Sequence, residues 1–124
     1  MSALSQARED VAQRLRNAGF AQVLTEIPDR VPAPPLTFVT PGEPWLTGEG
    51  CNFGEHRVGL TIVLIAGKGT SKKTAEQLDR MVEDATVALY ADGIGGNVGR
   101  PGQISLNGTT YTAVAMDAAV PIRL

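Results

Sequence analysis

Ten residues, Arg57 to Ala66 (RVGLTIVLIA), constrain the fold more than any other part of the chain. Val58, Leu60, Ile62, Leu64 and Ala66 are all apolar; between them Arg57, Gly59 and Thr61 give way to Val63 and Ile65 only toward the C-terminal end. Alternate residues of a strand face opposite ways, so one face is wholly core and the other is core over its second half only. The pattern predicts the central strand of a sheet, with one face fully covered and the other covered in part. The short break GKGTS follows, then the longest helical pattern in the chain, so the strand is expected to carry a helix back across itself.

Upstream, Leu4, Ala7, Val11, Leu15 and Ala18 recur at three- and four-residue spacing, which predicts an amphipathic helix from about Ser5 to Ala18. Asp10 and Arg14 lie one turn apart on its wet side, and Gly19 fits the left-handed position that ends a helix. Phe20 to Ile27 reads as a short strand stopped by Pro28. Pro32 to Pro35 reads as a stiff extended spacer, because proline fixes φ and lacks a donor. A PxxP ligand near Arg30 is the sharper alternative, and a rigid connector is preferred because nothing else in the chain suggests signalling. Leu36 to Thr40 resumes as strand, Pro41-Gly42-Glu43-Pro44 breaks it, and Pro41 to Glu55 reads as a long aperiodic arm.

Downstream, Ala75, Leu78, Val82, Ala85 and Leu89, widened by Met81 and Ala88, form one apolar helical stripe. It predicts a helix from Ser71 to Ala91, with Ser71 or Thr70 as N-cap, Asp92-Gly93 at its end, and Lys72–Glu76 and Glu76–Arg80 as pairs on its wet side. Gly93 to Gly102, with five glycines and a proline, is expected to form no regular element. Gln103 to Leu106 reads as a strand, Asn107-Gly108 as a type I′ hairpin turn, and Thr109 to Ile122 as a second strand with Val114, Met116, Ala118, Val120 and Ile122 on one face. Pro121 marks that strand as lying at a sheet edge or leaving the sheet there. The expectation is a single α+β domain over residues 1–124, a mostly antiparallel sheet with two helices packed on one face, in the order α-β-β-β-α-β-β.

Several chemistries lack their residues. The net charge of −2 gives no cationic footprint for a phosphate backbone. One cysteine, Cys51, allows no internal disulfide, and Cys51 with the single histidine, His56, is too few for a zinc site. As a nucleophile and base the pair lacks a positioned third group. No signal peptide is expected, since Arg8, Glu9 and Asp10 stand where an apolar segment would be, and no run is long enough to span a membrane. Gly67-Lys68-Gly69-Thr70-Ser71 resembles a phosphate cradle at a helix start, but the GxxxxGK[ST] spacing is absent, so an ordinary strand-to-helix turn is expected and no cofactor is implied. Glu76, Asp79 and Glu83 line one stripe of the second helix, a solvated face or, as the alternative, a divalent-ion site at a subunit contact. Trp45, the only tryptophan, is either an interface anchor or the closure of the core edge.

The opening helix (SQAREDVAQRLRNAG), the proline-broken extended segment (VPAPPLTFVTPGEPW), the pair RVGLTIVLIAG…TAEQLDRMVEDATVALY and the closing hairpin QISLNGTTYTAVAMDAAVPI follow one another in an order that resembles the tail terminator proteins of long-tailed bacteriophages. The resemblance spans the whole chain as a pattern and transfers no residue by motif. It implies a non-catalytic virion protein of the tail and neck, assembled in the host cytoplasm. Its subunits would form a ring, a hexamer in that family, which caps the tail tube, stops its elongation and presents the surface that joins the head. The partners so implied are further copies of the chain, the tail tube protein and a head–tail connector or head-completion protein, with genomic DNA passing through unbound and no membrane. The partial cover that the second face of the central strand needs is one a neighbouring subunit could give. Trp45, Glu43 and Phe53 in the arm and Asn97 and Arg100 in the glycine-rich loop are the candidate interface residues. The alternatives are another neck protein, for head closure or tail completion, and a small ligand-binding domain or enzyme using the Gly67–Ser71 turn.

Overall fold

A computed structural model of the protein describes residues 2–48, 54–69 and 71–124. Its elements are α1 (Ala3–Asn17), β1 (Val23–Leu24), β2 (Leu36–Thr47), β3 (Glu55–Lys68), α2 (Lys72–Tyr90), β4 (Gly95–Val98), β5 (Gly102–Leu106) and β6 (Thr109–Arg123). They form an α+β domain with one sheet, ordered β1-β2-β3-β6-β4, in which β5 pairs with a different stretch of β6. Every pairing is antiparallel except the short β1–β2 contact.

The alternation in β3 carries the architecture. Val58, Leu60, Ile62, Leu64 and Ala66 are buried in one cluster with Ala7, Val11, Ala12 and Leu15 of α1 and Leu78, Met81, Ala85 and Leu89 of α2, so both helices cover the same face. On the other face Ile65 joins Leu36, Phe38, Tyr111 and Ala113 in a second, smaller cluster. Val63, Val31, Ile104 and Leu106 pack against it. That second cover comes from the chain itself. The connector before β2 is laced across by Gln22 Nε2, which donates to Ala33 O at 2.7 Å and to Pro35 O at 2.9 Å. Asn107 Nδ2 at the β5–β6 turn donates to Asp29 O at 2.9 Å, closing the cap from the other side.

The helix ends follow their signals. Ser2 Oγ accepts from Ser5 N and Ser71 Oγ from Thr74 N, satisfying first-turn amides. Gly19 has φ 105°, and Phe20 N→Leu15 O with Gly19 N→Arg16 O closes a Schellman turn. The same pair of bonds, Ile94 N→Leu89 O and Gly93 N→Tyr90 O, ends α2. Asn107 and Gly108 both have positive φ, 50° and 80°, as the type I′ turn requires.

Five expectations need correction. The first helix starts at Ala3, because Ser2 rather than a later residue caps it. The Phe20–Ile27 strand shrinks to Val23–Leu24, since the chain bends away to form the laced connector. Arg14 pairs with Asp92 across helices, and Asp10 instead accepts from Gln6 Nε2; neither Lys72–Glu76 nor Glu76–Arg80 forms an ion pair among the described residues. β2 is not broken at Pro41 but bulges. Four residues lie between Pro41 and Leu46 where β3 has only Gly59 between Leu60 and Val58. Glycines permit the bulge: a Cβ on Gly42 would lie 2.8 Å from the Gly59 carbonyl carbon, and one on Gly59 would collide with the Pro44 carbonyl oxygen. Finally, Gly93–Gly102 contains β4, which adds a strand to the expected order. Its glycines let it press close: a Cβ on Gly96 would meet Asp117 O at 2.9 Å, and one on Gly95 the Tyr90 ring at 3.2 Å. Pro121 lies beyond Ala118, the last β6 residue in register with β4, so β6 is a local edge there.

Candidate interaction surfaces

Strand order decides where the candidate interface residues meet. β2 and β4 are on opposite sides of the sheet with β3 and β6 between them. Glu43 and Trp45 lie on the β2 bulge, and both are exposed, Trp45 by 44%. Asn97 and Arg100 are exposed on β4 and the turn after it, at the other side. The structure therefore brings Glu43 with Trp45 and Asn97 with Arg100, and separates the two pairs. Phe53 lies outside the described residues.

Each side carries apolar residues that the sequence reading did not single out. Leu46 follows Trp45 on β2; at the other side Tyr90 ends α2 and Val98 ends β4, with Val87 one turn back along α2. Val87 at 72% exposed is the strongest such signal, an apolar residue on the polar face of an amphipathic helix. Its detection needed only its position out of the stripe of Leu78, Ala85 and Leu89. Tyr90 is fixed in place: its ring lies over Gly95 and its hydroxyl donates to Gly96 O.

The polar half of the second face forms a shallow pocket of about 200 Å³ beside the bulge. Gly42, Gly59 and Ala119 line it together with Glu43, Arg57 and Asp117. A second pocket, about 170 Å³, lies between the end of α1, α2 and the start of β2, and includes Phe20, Met81, Thr37 and Asp84. Thr37 is completely buried and its Oγ1 has no hydrogen-bond partner among the described residues. An orphan buried hydroxyl costs about 1–3 kcal/mol. Thr37→Val keeps the shape and removes it, so the variant is expected to be more stable by about 1 kcal/mol in a urea titration.

The other motifs fall as follows. Cys51 lies outside the described residues; His56 Nδ1 is buried with no hydrogen-bond partner among them. Of the Gly67–Ser71 turn, Thr70 is likewise outside, Gly69 has φ 75°, Gly67 abuts the Thr74 side chain, and Ser71 caps α2. Glu76, Asp79 and Glu83 are exposed along α2, and among the described residues no three His, Cys, Asp or Glu side chains are grouped to hold a metal ion. No helix among the described residues is long and apolar enough to cross a membrane. Compared with known proteins, the chain matches no family model and no curated sequence.

Proposed function

We propose that this protein is a ring-forming structural subunit that caps the tail tube of a long-tailed bacteriophage, in the manner of a tail terminator. The observation that supports this most is the sheet with two different open sides. β1 covers only Thr37 and Phe38 of β2, leaving the strand from Val39 to Thr47 without an outer strand neighbour, and β4 is the last strand at the other side. A ring needs two unlike, mutually complementary surfaces on every copy, whereas a two-fold dimer needs one. Among the described residues, five of the seven large exposed apolar side chains sit at those two sides. The tube protein and the head-side connector would meet the two flat ends of such a ring. DNA would traverse it without adhering, since a subunit of net charge −2 has few cations to displace counterions.

The test is removal of the coding gene from the phage that carries it, followed by electron microscopy of the lysate. Overlong tubes without heads are expected. Tails of normal length that fail only to join heads would assign the chain to another neck component, and normal infectious particles would overturn the proposal.

A further inference from the structure

We propose that the β2 side of one copy docks on the α2–β4 side of the next, with Trp45 and Leu46 set against Tyr90 and Val98. This rests on the ring reading and names its subunit contact.

Among the described residues the large exposed apolar side chains are Ile27, Trp45, Leu46, Val87, Tyr90, Val98 and Leu124. Five of the seven fall into the two groups already placed on opposite sides of the sheet. Aromatic residues held rigid are the usual anchors of an interface, because little side-chain entropy is lost when they are buried. Tyr90 meets that condition through its contact with Gly95 and its hydrogen bond to Gly96.

Charge selects the partner. Arg57 is in register with Thr47, next to Leu46, and Glu43 lies two residues before Trp45. At the other side Asp79 and Glu83 precede Tyr90 along α2, and Arg100 follows Val98. All five charged groups are exposed, and none belongs to an ion pair among the described residues. Docked head to tail, Arg57 meets Asp79 and Glu83, and Glu43 meets Arg100. Two α2–β4 sides placed together would set two carboxylates and one arginine against the same set, a net like-charge contact, which disfavours that pairing. Pro41 and Pro44 remove backbone donors from β2, and β4 is only four residues long with a register shift, so the contact is made by side chains and not by a continuous strand ladder. Repetition of an unlike contact generates a ring where the rotation closes.

The experiment uses two single-cysteine proteins in a Cys51→Ser background, Glu43→Cys and Asn97→Cys, both at exposed positions that spare the apolar anchors. They are mixed at high concentration, and on isolated tail tubes, under mild oxidation. Disulfides between the two variants are expected in large excess over like-with-like disulfides. Trp45, the single tryptophan, gives a second readout: its emission is expected to shift to the blue on association, and Arg57→Glu to weaken association at least tenfold, restored by adding Glu83→Arg. Association with no mixed disulfide, or with like-with-like pairs dominant, overturns this contact and leaves the ring standing. A chain that stays monomeric in sedimentation and on tubes overturns both.

Discussion

Leu64→Asp is expected to yield a chain with no cooperative unfolding transition. Leu64 is fully buried on the helix-covered face of β3, in register with Thr37 on one side and Val114 on the other. An aspartate there is buried with no buried cation to pair it among the described residues, and the single Thr37 hydroxyl beside it cannot meet the needs of a carboxyl group. Costs above about 4–5 kcal/mol are reached by this mechanism, against a total stability of about 5–15 kcal/mol for a domain. Leu64→Ala, which leaves a cavity and no charge, should lose about 2–5 kcal/mol and still melt cooperatively. Circular dichroism in urea distinguishes the two, and a sharp transition for Leu64→Asp near that of the unaltered protein would mean that this face is not the core.

The second large effect is local. Gly59→Val places a side chain where the Pro44 carbonyl oxygen now sits, so the β2 bulge must lift from β3. Overpacking of this kind costs about 1–3 kcal/mol. The loss should be confined to one end of the sheet: amide exchange is expected to accelerate from Gly42 to Thr47 and from Arg57 to Thr61, while the β5–β6 hairpin stays protected. Because Trp45 and Leu46 ride on the bulge, the same variant should fail to self-associate although most of the fold persists. Unchanged exchange at Leu46 would show that the bulge does not depend on Gly59.

The contrast between these two sites explains what the sequence disclosed. Leu64 and its neighbours were legible because the asymmetry of burial writes itself directly into a period of two. Even the half-covered second face was visible in the switch from Thr61 to Val63 and Ile65. The bulge was not, since Gly42, Pro44 and Gly59 make sense only when two distant stretches are in register. β4 was hidden for the same reason: Gly95 and Gly96 are dictated by Tyr90 and Asp117, and glycine has no periodicity to reveal. Of the candidate interface residues, the sequence placed Glu43 and Trp45 in one segment and Asn97 and Arg100 in another, but that the two segments lie on opposite sides of the sheet depends on strand order, which local patterns do not encode.

The pairing of β3 with β6 also bears on how the molecule comes into being. Their register runs from Glu55 with Arg123 to Lys68 with Tyr111, so the central ladder joins residues far apart in the chain. Such topologies have high contact order and fold slowly, because a large loop is closed before its contacts repay the entropy. β6 follows the other strands of this sheet in the chain and so leaves the ribosome after them, yet it occupies the interior of the sheet. Until it arrives, the apolar face of β3 has α1, α2 and β2 but lacks a neighbour along one whole side. Synthesis therefore passes through a state with an open, apolar strand edge, and cellular chaperones are expected to meet the nascent chain there.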